Sequence, residues 1–318
     1  MFDQAKWVWM DGRMVPWQDA TVHVSSHALH YGTGVFEGIR CYPTAEGPAV
    51  FRLEAHVDRL YNSAAAYEIK IPYTKTELTE VICEVIRKNG FENCYIRPIC
   101  YYGSAMLGLV ANRCPLRVAV LAWPWTTMHG SDSLESGVRI MVSRWVKFDS
   151  RMMPTTAKAC GQYVNSVLAA QEAVSKGFDD ALLLDQNGYV TEATGENIFL
   201  VKKGEVLTND SRHSILMGVT RDSAITIARD LGYPVQIRAL QVADVLSADE
   251  VFMTGTAAEI AVVRAVDDHI VGSGKRGPIT AAIQRVFFDA VYGRDPKYHN
   301  WLHPVRVAAG KMAVPAVS

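Results

Sequence analysis

One lysine stands out for the chemistry its surroundings would allow. Lys158 sits in Met153-Pro-Thr-Thr-Ala-Lys158-Ala-Cys-Gly-Gln-Tyr163, among small and apolar neighbours with few competing charges, just where a helix is expected to begin. A desolvated lysine has a lowered pKa, and the neutral amine is the form that attacks an aldehyde. A lone lysine is more often solvated, so other segments must support the reading. His23, His27 and His30 in HVSSHALH have spacings that suggest metal ligands, but no H-E-x-x-H and no second ligand cluster accompany them. They read as a strand leading into a structured turn, and no metal is expected. Gly272-Ser-Gly-Lys275-Arg276 fails as a phosphate loop because Arg276 stands where Ser or Thr should bind magnesium. Neither a G-x-S-x-G elbow nor a complete G-x-G-x-x-G fingerprint occurs, which removes the main support for a serine hydrolase or a dinucleotide oxidoreductase.

The elements that must position Lys158 are readable in outline. Asp11-Gly12 between two apolar runs predicts a tight hairpin at the start. Leu53, His56, Val57, Leu60 and Ala64 recur at spacings of three and four, one face of a helix over 52–67. Thr74 and Glu77 form a capping box for a helix at 76–88, and Gly90 ends it. Apolar runs at 94–102 and 116–125 are predicted buried strands. The composition turns polar and aperiodic at 126–137, the expected connection between a small N-terminal domain over 1–125 and a larger domain over 138–318. The larger domain is expected to hold strands at 138–147, 181–185, 235–239 and 250–253, and helices at 162–177, 221–231 and 279–291, with Thr220 capping the second of these. Residues from Val305 onward are expected to fray.

At 318 residues, with 49% hydrophobic and 20% charged residues and a net charge of -1, the chain has the composition of an ordinary globular protein. That charge offers no electrostatic case for nucleic acid or an anionic membrane surface. The first twenty residues do not read as a secretion signal, no stretch is long and apolar enough to span a membrane, and six cysteines show no C-x-x-C pair. The cytoplasm is the expected location.

Several segments in order make the lysine more than a lone residue. TAKACGQYVNS at 156–166, HALHYGTGVFEGIRCY at 27–42, FRLEAHVDRL at 51–60, YIRP at 95–98, YVTEATGENIF at 189–199, GVTRD at 218–222 and EVFMTGTAAEI at 250–260 together span most of the chain. The set resembles the branched-chain amino-acid aminotransferases, members of the fold-type-IV enzymes that use pyridoxal 5′-phosphate. The resemblance implies an α+β fold of two domains, with a small N-terminal α/β domain, a larger domain built on a β-barrel-like core, and the cofactor at the domain interface. It implies reversible transamination between leucine, isoleucine or valine and 2-oxoglutarate, and a homodimer whose sites draw loops from both subunits.

The same resemblance assigns roles. Lys158 would carry the cofactor covalently and shuttle the α-proton. Glu192 would pair with the pyridine nitrogen; Glu196, four residues on, is a competing carboxylate that spacing alone does not exclude. Tyr163 would meet the cofactor's phenolic oxygen. Arg59, the amides of Val219 and Thr220 at a helix start, and the Thr256 hydroxyl would take the phosphate, with Leu216 against the ring. The amides of the Thr256-Ala257-Ala258 turn and the Tyr95 hydroxyl would take the substrate carboxylate. Phe36, Tyr31 and Trp125 would enclose an aliphatic side chain, and Arg97, with Tyr31 of the partner subunit, would meet the distal carboxylate of glutamate. Met128 stands where related enzymes often have a pocket tyrosine, and the 104–115 loop matches loosely. The same fold also hosts D-amino-acid or (R)-amine transaminases and aminodeoxychorismate-type lyases; a silent cofactor-binding protein is the reading from another class.

Overall fold

The structure, a computed structural model, describes residue 2 and residues 4–126 and 133–306. Met128 and the middle of the expected 126–137 connection lie outside the described residues. Two compact units emerge: one takes in the described parts of Met1–Thr126, Ala157–Gln162 and Ala290–Ser318, the other those of Thr127–Thr156 and Tyr163–Asp289. The units are therefore not two consecutive stretches, because the segment carrying Lys158 and the end of the chain both join the first.

The first unit is an antiparallel sheet covered by two helices. Asp11 and Gly12 take φ angles of 47° and 94°, the left-handed pair a two-residue hairpin needs, and close Trp7–Met10 onto Arg13–Pro16. The strand order runs from Leu302–Pro304 through Gly47–Phe51, Ile39–Thr44, Cys94–Tyr102, Leu116–Pro124 and Trp7–Met10 to Arg13–Pro16, with Gly34–Phe36 also paired to Cys94–Tyr102. Helix Lys75–Asn89 is capped as its sequence predicts: Glu77 N donates to the Thr74 hydroxyl at 3.2 Å, Thr74 N donates to the Glu77 carboxylate at 2.7 Å, and Gly90 ends it at φ 71°. Its Leu78, Ile82 and Ile86 are wholly covered, each contributing about 1.5–3 kcal/mol of transfer free energy. Helix Leu53–Ala66 buries Leu53, Val57, Leu60 and Ala64 in the same core. A polar stripe of His56, Arg59 and Ser63, at spacings of three and four, runs along the same helix.

The second unit is a mixed sheet ordered Val190–Ala193, Asp180–Leu184, Val138–Val146, Glu259–Val266, Glu250–Gly255, Asn197–Lys202, Glu205–Thr208 and Val235–Ile237. Its two ends approach each other: Val190 N donates to Leu240 O at 2.8 Å, and Tyr189 bridges Gln241 just beyond the last strand. This gives the barrel-like core expected of the larger unit, filled by Ile140, Leu182, Ile198, Leu200, Met253 and Val263. Ala169 and Ala173 of helix Tyr163–Ser175 pack on Met141 and Leu183. Among the described residues no helix is long and apolar enough to cross a membrane.

Several local expectations are corrected. HVSSHALH contains a one-turn helix, His27–Tyr31, instead of a strand, because Gly32 at φ 65° stops it with its amide bonded to Ala28 O. Its histidines serve neighbouring groups: His27 Nδ1 lies 2.8 Å from the Thr33 hydroxyl and Nε2 2.6 Å from Gly108 O, while His30 Nε2 bonds Val24 O. Helix Val219–Asp230 starts earlier than expected, so Thr220 is inside its first turn and Gly218, extended at φ -68°, is the cap position. The three strands between Gly34 and Phe51 are an addition that no sequence pattern announces. Of the segment expected to fray, Val305 is tied down, its amide donating to Pro48 O at 2.9 Å; residues 307–318 lie outside the described residues.

Candidate active site

In the first unit, Lys158 is fixed by its own backbone. Lys158 N donates to the Ser63 hydroxyl at 2.9 Å, Phe36 N donates to Lys158 O at 3.0 Å, and Ala159 bridges Val35. Three residues on, Gly161 N donates to Gly32 O at 3.0 Å, and a Cβ added at Gly32 would stand 2.6 Å from the Gly161 Cα. Only glycine permits that crossing at a positive φ. The half-buried side chain puts Nζ 5.0 Å from the centre of the Phe36 ring. Burial, and after it the positive charge of Arg59, pull the amine down from 10.5 to about 8; Glu37 and Tyr95 oppose this. At neutral pH that raises the fraction of neutral amine roughly 300-fold.

Arg59 is clasped by Glu37, a residue of the HALHYGTGVFEGIRCY segment to which the sequence alone assigns no role. Arg59 Nε lies 2.6 Å from Glu37 Oε1 and Nη2 2.9 Å from Oε2, while His56 Nδ1 lies 2.8 Å from Oε2 and Gly38 N donates to it at 3.1 Å. The Glu37 carboxylate has no exposed surface, and burial alone would raise its pKa. The Arg59 charge and the bonds from His56 and Arg59 reverse that and hold it far below the usual carboxylate range. Burial lowers His56 and outweighs the pull of Glu37, so the imidazole is neutral and donates from Nδ1.

Tyr95 and Arg97 alternate on strand Cys94–Tyr102 and so share a face. The Arg97 guanidinium lies 4.6 Å from the Phe36 ring centre, 5.4 Å from Tyr95 and 5.9 Å from Trp123; its buried Nε has no hydrogen-bond partner among the described residues. Tyr95 stacks beside Trp123 and Trp125, with ring centres 5.2 and 5.5 Å away. A Cβ at Gly38 would fall 1.8 Å from the Tyr95 hydroxyl, so glycine there makes room for the ring. Phe36, Tyr95, Arg97, Trp125, Arg59 and Lys158 thus belong to one unit. Tyr31, in the same unit, is 44% exposed with its ring against His27 at 4.6 Å.

The second unit separates the two competing carboxylates. Glu192 Oε2 accepts from Leu216 N at 2.9 Å and from Asn197 Nδ2 at 3.2 Å, and Oε1 meets Lys147 Nζ at 2.9 Å. Glu196 instead shares a hydrogen bond with buried Asp180, whose carboxyl burial and the Glu196 charge push well above its ordinary value. Asn197 ties the region together: Nδ2 also donates to Leu216 O at 2.8 Å, and its Oδ1 occupies the place where a Cβ on Gly218 would lie, 2.1 Å away. The first internal bond of the following helix runs from Asp222 N to Gly218 O, so the Val219 and Thr220 amides lie ahead of it at the positive end of the dipole. Thr256, Ala257 and Ala258 form the turn between strands Glu250–Gly255 and Glu259–Val266. Tyr163 opens helix Tyr163–Ser175, and Leu216 is half-buried.

The pattern of the amino-transferase class IV family matches residues 34–266. This chain belongs to that family. As a class IV aminotransferase it is 42% identical over 301 residues to the branched-chain-amino-acid aminotransferase of Pseudomonas aeruginosa, covering 95% of this chain and 98% of that one. The crystal structure of the Escherichia coli branched-chain amino acid aminotransferase superposes with a TM-score of 0.93 at 44% identity, covering 95% of this chain and 100% of that one. For the branched-chain amino acid aminotransferase of Thermobaculum terrenum in its PLP-bound holo form the TM-score is 0.89 at 34% identity, covering 95% and 99%. The class IV fold thus extends over nearly the whole chain.

Proposed function

We propose that this class IV aminotransferase reversibly transfers an amino group between L-leucine, L-isoleucine or L-valine and 2-oxoglutarate, with pyridoxal 5′-phosphate as cofactor. The observation that carries the reading is the Lys158 amine, lowered to about 8 on a pinned backbone. The donor set suits an aldehyde that bears a phosphate: a neutral amine, an arginine, and helix-end amides near a buried carboxylate. When bound, the cofactor supplies an electron-withdrawing ring and a carbon that receives the amino group.

Lys158 would hold the cofactor through its amine, and once a substrate amine takes its place the freed amine would carry a proton to and from the substrate α-carbon. Glu192 would keep the ring nitrogen protonated; its ties to Leu216 N and Asn197 support that reading over Glu196, which is engaged with Asp180. Tyr163 would serve the phenolic oxygen and Leu216 would face the ring. Arg59, the Val219 and Thr220 amides and the Thr256 hydroxyl would hold the phosphate. The substrate carboxylate goes to Tyr95 and the amides of Ala257 and Ala258, its aliphatic chain to Phe36 and Trp125, and the second carboxylate of glutamate to Arg97, whose buried Nε suits such a ligand.

Met128 is proposed as a further residue of the substrate pocket. The working assembly we propose is a homodimer in the cytoplasm. Leu29, Tyr31 and Leu109, at 62%, 44% and 87% exposure, offer an apolar surface for a second copy, and the six cysteines are thiols. The test is the visible absorption of the cofactor-loaded protein. L-leucine should bleach the band and 2-oxoglutarate restore it, with D-leucine inert; bleaching by D-leucine alone would reverse the stereochemical assignment. Light scattering that finds an active monomer would overturn the dimer.

A further inference from the structure

Glu37 is buried at the break between strands Gly34–Phe36 and Ile39–Thr44, and none of the steps above uses it. An ionised carboxylate with no exposed surface persists only where donors surround it. Those donors are Arg59, His56 and the adjacent Gly38 amide. Arg59 gives two nitrogens to two oxygens, a side-by-side fork that fixes the plane of the guanidinium as well as its place. His56, one helical turn before Arg59, grips the second oxygen while neutral, so it braces the carboxylate without adding a charge.

We propose that Glu37, braced by His56, is the positioning residue for Arg59, holding its guanidinium ready for the cofactor's phosphate and balancing its charge beside Lys158. This rests on the reading of Arg59 as a phosphate ligand. Arg59 left alone could rotate about its long stem, and each phosphate contact would first have to order it. The balance follows from the same geometry: Arg59 and Arg97 depress the Lys158 amine, while Glu37 and Tyr95 raise it. Removing the Glu37 charge should therefore carry the Lys158 midpoint further down.

The experiment is a cycle of the full-length Glu37→Gln, Arg59→Ala and double variants, stripped of cofactor and titrated with pyridoxal phosphate. Arg59→Ala should weaken binding about 100-fold and Glu37→Gln about tenfold. In the Arg59→Ala background, Glu37→Gln should change affinity less than about twofold, because the partner it acts through is gone. The second readout is the pH dependence of Lys158 acetylation, followed by mass spectrometry of its peptide: the midpoint should fall below that of the parent protein in Glu37→Gln. Parent-like affinity in Glu37→Gln, equal losses in both backgrounds, or an unmoved midpoint would each overturn the proposal. If Arg59→Ala itself binds normally, the phosphate assignment fails with it; if only Glu37→Gln is silent, that assignment stands. Should Glu37→Gln not fold, Glu37→Asp keeps the charge but draws the carboxylate back, and the same cycle should show a loss of about threefold.

Discussion

Lys147 is buried and Lys158 half-buried, and their surroundings are opposite. Lys147 Nζ meets the Glu192 carboxylate at 2.9 Å, and its amide donates to Leu184 O at 2.8 Å just past strand Val138–Val146. Lys158 has an aromatic face at 5.0 Å and an arginine charge near enough to depress its amine. Burial is the larger cause of the lowered Lys158 amine and the Arg59 charge adds to it, while the Lys147 Nζ has a carboxylate as its partner.

The sharpest way to break the contrast is to delete each amine. Lys158→Ala should cut transamination by more than about 10⁴-fold, whereas Lys147→Met should leave turnover measurable in a coupled glutamate assay. Comparable losses would erase the distinction. The carboxylate facing Lys147 extends it: Glu192→Gln should slow turnover by about 100-fold with cofactor still bound, and Glu196→Gln should stay within about threefold. Glu196→Gln should also alter stability with pH. The Asp180 carboxyl sits above its unfolded value of 3.8, so its stabilising contribution is whole below that value and fades as pH rises through the folded one. Denaturant titrations of Glu196→Gln should show that decline reduced.

Stability should separate the lysines by sign. Lys147→Met leaves Glu192 without its cation and should cost about 3 kcal/mol. In cofactor-free protein Lys158→Met should instead stabilise, by up to about 3 kcal/mol at neutral pH. The folded amine, at about 8, holds fewer protons than the unfolded one at 10.5, so parent stability should rise between those values and the gap to Lys158→Met should close. Urea melts at pH 7 and pH 10 check it. At Gly38→Ala, displacement of the Tyr95 hydroxyl should raise KM for both substrates about tenfold with less change in kcat; unchanged KM would remove Tyr95 from substrate binding.

Local signals were legible wherever a short stretch decides its own conformation. The Thr74–Glu77 box, Gly90 and the Asp11–Gly12 turn are of this kind. Lys158 was legible through its motif, but its membership in the first unit was not, since that depends on bonds to Gly32, Phe36 and Ser63, far away in the chain. The strands at Gly34–Phe36 and Ile39–Thr44 are short and buried on both sides, so no alternation marks them. Glu37 lies within the 27–42 segment with nothing in its spacing to mark it, and the spacing of His56 shows only that it falls on a helix face. Their meaning arises only when a strand break and a helix turn meet. The contact that sets Glu196 apart from Glu192 likewise comes from Asp180, on strand Asp180–Leu184, and spacing does not announce it.

The crossing of Gly32 and Gly161 makes the Lys158 backbone a fixed anchorage. Tied at and after the lysine, the peptide has little slack, and the four-carbon arm swings from a stationary shoulder. If Lys158 serves as proposed, a tip released by an incoming amine would stay within one arm's length of its former partner. Recapture would then be a matter of side-chain rotation, with no loop needing to find its way back.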